Sequence, residues 1–314
     1  MSKIILPLFS LVFFITGCLN IIQSQWVQVN SVLRGRVVLS YASNDKYNFA
    51  GTQDEGIYRT LKGTEDWVCI TENTVLDNLT INAIAVKDNY IYAGSLASGL
   101  YFSDNNGTNW SVSNLNNQKI YALFVNSNYV FAGLAQDKGV YRTNTGEKHF
   151  IAVNTGLTSK TIFSLAANKK YLFAGTGSKG VFYSTNNGDN WDSTVISNNQ
   201  LAVFSLIAYQ NHVYAGTEKN GLYYSQDTGK TWNKSSFNEN KTIYTLTLNN
   251  CYLFAGLYQV GVCVLNKQGE LIGDDYYDDP HGSTVRTLWI VKDYLYAGTL
   301  RGVLKRKLSG PYSN

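Results

Sequence analysis

The chain has 314 residues, 26 Lys and Arg against 22 Asp and Glu, and a formal net charge of +4. So small a charge, with no basic stripe, excludes the electrostatic footprint of a nucleic-acid binder. Tyr, Phe and Trp make up 14% of residues and Pro only 3 positions, a composition of strands and tight turns.

Residues 1–24 read as an export signal. Lys3 precedes an apolar run from Ile4 to Ile15, too short to span a bilayer as a mature helix. Two processing sites compete. Ile15-Thr16-Gly17-Cys18 resembles a bacterial lipobox, in which the cysteine becomes lipidated and N-terminal. Ordinary cleavage after Ser24 would instead leave Gln25 first. Either route exports the protein from a bacterial cell, to the periplasm, to the outer membrane through a lipid on Cys18, or to the medium. That lipid would be its only membrane contact.

Residues 25–309 repeat. An aromatic followed by Ala-Gly occurs seven times, at Phe49-Ala50-Gly51, Tyr92-Ala93-Gly94, Phe131-Ala132-Gly133, Phe173-Ala174-Gly175, Tyr214-Ala215-Gly216, Phe254-Ala255-Gly256 and Tyr296-Ala297-Gly298. Successive Ala residues are 43, 39, 42, 41, 40 and 42 apart, the length of one four-stranded propeller blade. The copy from Thr161 to Ser197 shows the unit. Apolar strands at Ile162–Asn168, Tyr171–Gly175 and Val181–Ser184 are separated by turn residues, and a fourth begins at Trp191.

Twelve residues before each Ala stand Val38, Ile81, Ile120, Ile162, Val203, Ile243 and Val285, all β-branched. Ten before it stand Ser40, Ala83, Ala122, Ser164, Ser205, Thr245 and Thr287, all small enough for strands that converge on an axis. The aromatic is expected to pack between neighbouring blades. A second Gly in each repeat, from Gly56 to Gly302, suits a hairpin with positive φ.

The last repeat stops after three strands, near Lys307, and Trp26–Asn30 resembles a fourth. The expected fold is all-β: a single seven-bladed β-propeller with four-stranded blades, its N-terminal strand completing the last blade and removing exposed edges. Residues 310–314 form a short tail, and a monomer is expected. Cys251 and Cys263 fall on successive strands, with Cys263 opposite about residue 254, out of register for a bridge. Thiols are therefore expected, and no spacing suggests a metal or a cofactor.

The turn after the third strand carries a motif. Ser225-Gln-Asp227-Thr-Gly229-Lys-Thr-Trp232 is a full match to the Asp-box, Ser-x-Asp-x-Gly-x-Thr-Trp. Ser103, Asn105, Gly107 and Trp110, and Ser184, Asn186, Gly188 and Trp191, repeat it with Asn in the Asp position. The carboxylate or amide caps turn N–H groups, Gly supplies the unusual dihedral, and Trp anchors the turn. Thr60–Trp67 and Thr143–Phe150 are degraded copies.

The combination resembles the BNR/Asp-box propellers, among them sialidases, sortilin-type receptors, xyloglucanase-like glycosidases and the photosystem II assembly-factor-like group, the last most similar in size. The resemblance implies a ligand face opposite the Asp-boxes. On that face fall the loops between strands two and three, with Tyr258 and Arg301, and the connections between blades. One connection departs from the others: 273–282 holds Asp274, Asp275, Tyr276, Tyr277, Asp278, Asp279 and His281. Its aromatics and carboxylates suit a protein or glycan partner, although charge runs are also ordinary solvated loops.

Sialidase chemistry, which the resemblance also implies, needs three converging Arg. Arg36, Arg286 and Arg301 near the closure seam are the candidates, but Arg36 is followed by Val37-Val38 and no Arg-Ile-Pro exists. No catalytic residue is assigned. His149, His212 and His281 lie in separate repeats, so no Ser-His-Asp triad is supported. The reading is a non-enzymatic exported binding scaffold; its rival is a glycoside hydrolase of the sialidase type.

Overall fold

The computed structural model describes residues 25–29, 31–196, 200–237, 240–272 and 284–308. Cys18, the acidic connection from Asp274 to His281 and the C-terminal tail lie outside the described residues. The β-branched column opens the innermost strand of every blade: Val38–Ser43, Ile81–Lys87, Ile120–Val125, Ile162–Ala167, Val203–Tyr209, Ile243–Leu248 and Val285–Val291. Each contacts the next, and the last contacts the first. The chain is a seven-bladed β-propeller.

Blade four shows the unit: Ile162–Ala167, Leu172–Thr176, Val181–Ser184 and Asp192–Ser193 pair antiparallel in chain order. In blade seven the fourth strand is Val27–Gln28, with Val27 opposite Lys305 and Gln28 opposite Leu304. The Val29 N–H and the Gln28 side-chain amide both donate to the Val303 carbonyl, at 2.9 and 3.0 Å. Among the described residues the outer strand of blade six shows one bridge, Leu271 to Leu265.

The Ala-Gly pair recurs because its glycine is a slot. A Cβ at Gly51 would lie 2.8 Å from Ile81 Cγ2, and one at Gly216 would lie 2.6 Å from Ile243 Cγ2. Each glycine receives the β-branched side chain of the next blade. At Gly298 the intruding neighbour is Val38, whose carbonyl oxygen would sit 2.8 Å from the added carbon. The seventh slot thus takes the first blade, and the ring closes. Val38, Ile81, Ile120, Ile162, Val203, Ile243 and Val285 are all fully buried, each insertion contributing about 1.5–3 kcal/mol of apolar burial. Phe49 packs on Ile81, Ile84 and Ile91 of the following blade, as expected of the aromatic column.

The turns after the third strands lie at the opposite end of the blades from the strand two to three loops. In the Ser225 turn, Ser225 Oγ donates to Asp227 Oδ1 at 2.8 Å and accepts the Gly229 N–H at 2.8 Å. Asp227 also accepts from the Thr231 N–H and hydroxyl at 2.9 and 2.6 Å. Burial works against its charge, but the bonds from Thr231, Ser225 and Lys230 outweigh that and hold its carboxyl at about 2. Asn105 and Asn186 make the same backbone contacts as neutral amides.

Candidate functional site

In each blade the ladder between the first two strands skips one residue, a β-bulge between the β-branched and the small columns. The skipped residues are Leu39, Asn82, Tyr121, Phe163, Phe204, Tyr244 and Arg286. Freed from the ladder, all seven line a cavity of about 500 Å³ enclosed by the innermost strands. The bulge sits where the first strand meets the loop between strands two and three. There the Gln53 N–H donates to the Val37 carbonyl at 2.9 Å, and Tyr258 N–H to Thr242 at 3.0 Å. The cavity therefore opens on the face expected to bind ligand.

The ring is chemically lopsided. Four consecutive blades supply an aromatic arc: Tyr121 stacks on Phe163 with centroids 5.1 Å apart, Phe163 meets Phe204 edge-on at 4.9 Å, and Phe204 stacks on Tyr244 at 5.6 Å. Arg286 continues the arc, its guanidinium 4.4 Å from the Tyr244 ring centre. Tyr258 approaches the same ring edge-on at 6.1 Å. Asn82 is tied into the wall, its amide donating to the Tyr121 carbonyl at 3.0 Å. Leu39 fills the remaining position. Among the described residues no carboxylate pairs with Arg286.

The structure gathers two of the expected site residues, Tyr258 and Arg286, around Tyr244. It does not gather the three arginines: Arg286 lines the channel, whereas Arg36 and Arg301 do not. Arg36 is ion-paired with Glu55, donates from Nε to the Val32 carbonyl at 2.6 Å and lies over the Tyr58 ring. Arg301 is exposed on the hairpin of blade seven, where its N–H donates to Thr299 Oγ1 at 3.0 Å. His149 is exposed. His212 lies beside Tyr214, and burial followed by the nearby Lys267 lowers its basicity. No group of three His, Cys, Asp or Glu among the described residues could hold a metal ion.

The six other channel residues escape a search for motifs because they share none. The signal is positional: eleven residues before each Ala, between two columns that repeat, lies one that does not.

The DUF6242 β-propeller domain matches residues 148–272. A search of curated proteins gives no match. Among solved structures, YCF48 bound to D1 peptide is 11% identical with a TM-score of 0.72, covering 93% of this chain and 99% of that one. The extracellular domain of BT4673 from B. thetaiotaomicron is 16% identical with a TM-score of 0.74, over 90% of this chain and 39% of that one. The computationally designed Ika8 protein is 17% identical, TM-score 0.67, over 87% and 83%. The likeness is one of fold. This chain spans about two fifths of the BT4673 chain.

Proposed function

We propose that the protein is an exported, non-enzymatic scaffold of the BNR/Asp-box type. It captures a protein or glycan partner through the face that bears the strand two to three loops, with the channel mouth at its centre. One observation carries this reading: the column that breaks the repeat in every blade lines the channel, beside the small column that repeats. Residues that serve only folding would repeat, as the β-branched, small and glycine columns do. The bonding of the Ser103, Ser184 and Ser225 turns supports the Asp-box affinity. The extracellular BT4673 domain and the peptide-bound YCF48 support export and partner capture.

Capture from a native envelope extract tests the reading. Wild type should retain a specific partner, and Tyr121→Ala with Phe204→Ala should lose it while remaining folded, the lost ring contacts costing about 0.5–1.5 kcal/mol each. Equal capture by both proteins would remove the mouth from the interface. Release of sugar from a fluorogenic glycoside panel would overturn the scaffold reading in favour of the hydrolase.

A further inference from the structure

We infer that the channel mouth binds an aryl monocarboxylate, a small ligand with a planar apolar body and one negative charge. The site is shared with the scaffold reading, but the inference names a small molecule and does not depend on the macromolecular partner.

Charge is the first ground. Arg286 is half-buried among aromatic side chains, and no carboxylate among the described residues neutralises it. Its guanidinium presents donors in a planar fork that matches a carboxylate, and low-dielectric walls strengthen that attraction. Stacking on Tyr244 uses one face of the guanidinium and leaves its N–H edge available.

The aromatic arc is the second ground. Phe204 and Tyr244 stack with an interplanar angle of 3°, and Tyr121 and Phe163 with 28°. Phe163 and Phe204 meet at 82°, so the arc presents both ring edges and ring faces, and an inserted aromatic ring can pair with either.

Size is the third. The volume, about 500 Å³, lies within the usual range for small-ligand sites.

Calorimetry on the full-length protein provides the test, with 3-phenylpropionate as probe and 3-phenylpropionamide, glucuronate and acetyl-Ala-Ala acid as competitors of other classes. Phenylpropionate should bind and its amide should bind at least about tenfold more weakly. Arg286→Gln should weaken phenylpropionate by about 10- to 100-fold at unchanged melting temperature. Lys230→Gln, on the opposite face, should not change it. Absence of phenylpropionate binding, equal binding of the amide, or an unaffected Arg286→Gln would overturn the inference. Tighter binding of glucuronate or of the peptide acid would also overturn it, in favour of an acidic sugar or a polypeptide end. Envelope capture by Arg286→Gln separates the two readings. Partner capture by a wild-type protein that binds no phenylpropionate sinks the small ligand alone.

Discussion

The Tyr92 hydroxyl accepts the Gly146 N–H at 2.8 Å and donates to the Glu147 carbonyl at 3.0 Å. Tyr92 belongs to blade two, and its partners belong to the degraded turn of blade three. Tyr214 donates to the Lys267 carbonyl in blade six at 2.9 Å, and Tyr296 to Glu65 in blade one at 3.3 Å. These three turns lack the Ser-Asx pair. The turns of blades two, four and five have it, and the blades before them carry Phe49, Phe131 and Phe173. The phenol of one blade thus substitutes for the missing side chains of the next. Tyr92→Phe should cost about 1–3 kcal/mol by leaving the Gly146 N–H unsatisfied. Urea unfolding measures it, and a change below a few tenths of a kcal/mol would refute the exchange.

The same tyrosines set an alkaline limit. Burial pushes Tyr92 and Tyr214 up to about 12 from the ordinary value of 10.0. Burial, with the adjacent Glu65, raises Tyr296 as well. A folded-state value above the unfolded one gives stability that is complete below pH 10 and lost as pH rises toward 12. The urea midpoint should therefore fall steeply across that interval, with ultraviolet titration showing late-ionising phenols. Phenols that all titrate near 10 in the folded protein would contradict this.

Two tryptophans at equivalent turn positions should respond differently to substitution. Trp191 Nε1 donates to the Val153 carbonyl at 2.8 Å, whereas Trp110 Nε1 is buried without a partner. Replacement by Phe removes volume in both. At Trp191 it also orphans a buried carbonyl, adding about 1–3 kcal/mol, while at Trp110 it relieves an unsatisfied donor. Chemical denaturation should rank Trp191→Phe well below Trp110→Phe, and the reverse order would be decisive against the assignment.

Ring closure can be weakened at one atom. Gly298→Ala would set a methyl 2.8 Å from the Val38 carbonyl oxygen and 2.6 Å from Thr287 Cγ2. Overpacking of this kind costs about 1–3 kcal/mol. Hydrogen exchange should quicken in both blades one and seven. Faster exchange in blade seven alone would show that the slot does not couple them.

Mass spectrometry of the mature N-terminus checks export. The lipobox reading expects a diacylglyceryl group on Cys18, and a free terminus at Gln25 would replace it with ordinary cleavage.

The fold was legible because every blade solves the same packing problem with the same residue types. The glycine slot and its β-branched occupant recur seven times, so position in the repeat carries the meaning. Register was legible to within one residue. Cys263 lies opposite Ala255 rather than residue 254, because Gly261 closes the hairpin against Leu257. The site was mostly illegible. A bulge leaves no trace in an alternating pattern, and Phe163 or Tyr121 reads as one more strand aromatic until the ring is closed. Arg286 was found through its charge, but its partner, Tyr244, became visible only across the channel seam.

The bulges have a consequence for how such a protein can change. A residue skipped by the ladder owes nothing to its opposite number, so Leu39, Asn82 and Arg286 can be exchanged without disturbing strand pairing. Seven letters surround one opening, on a frame whose strand pairing does not depend on them. New selectivity can therefore arise by single substitutions at the mouth, each drawn from most of the amino-acid alphabet, while the blades beneath stay as they are.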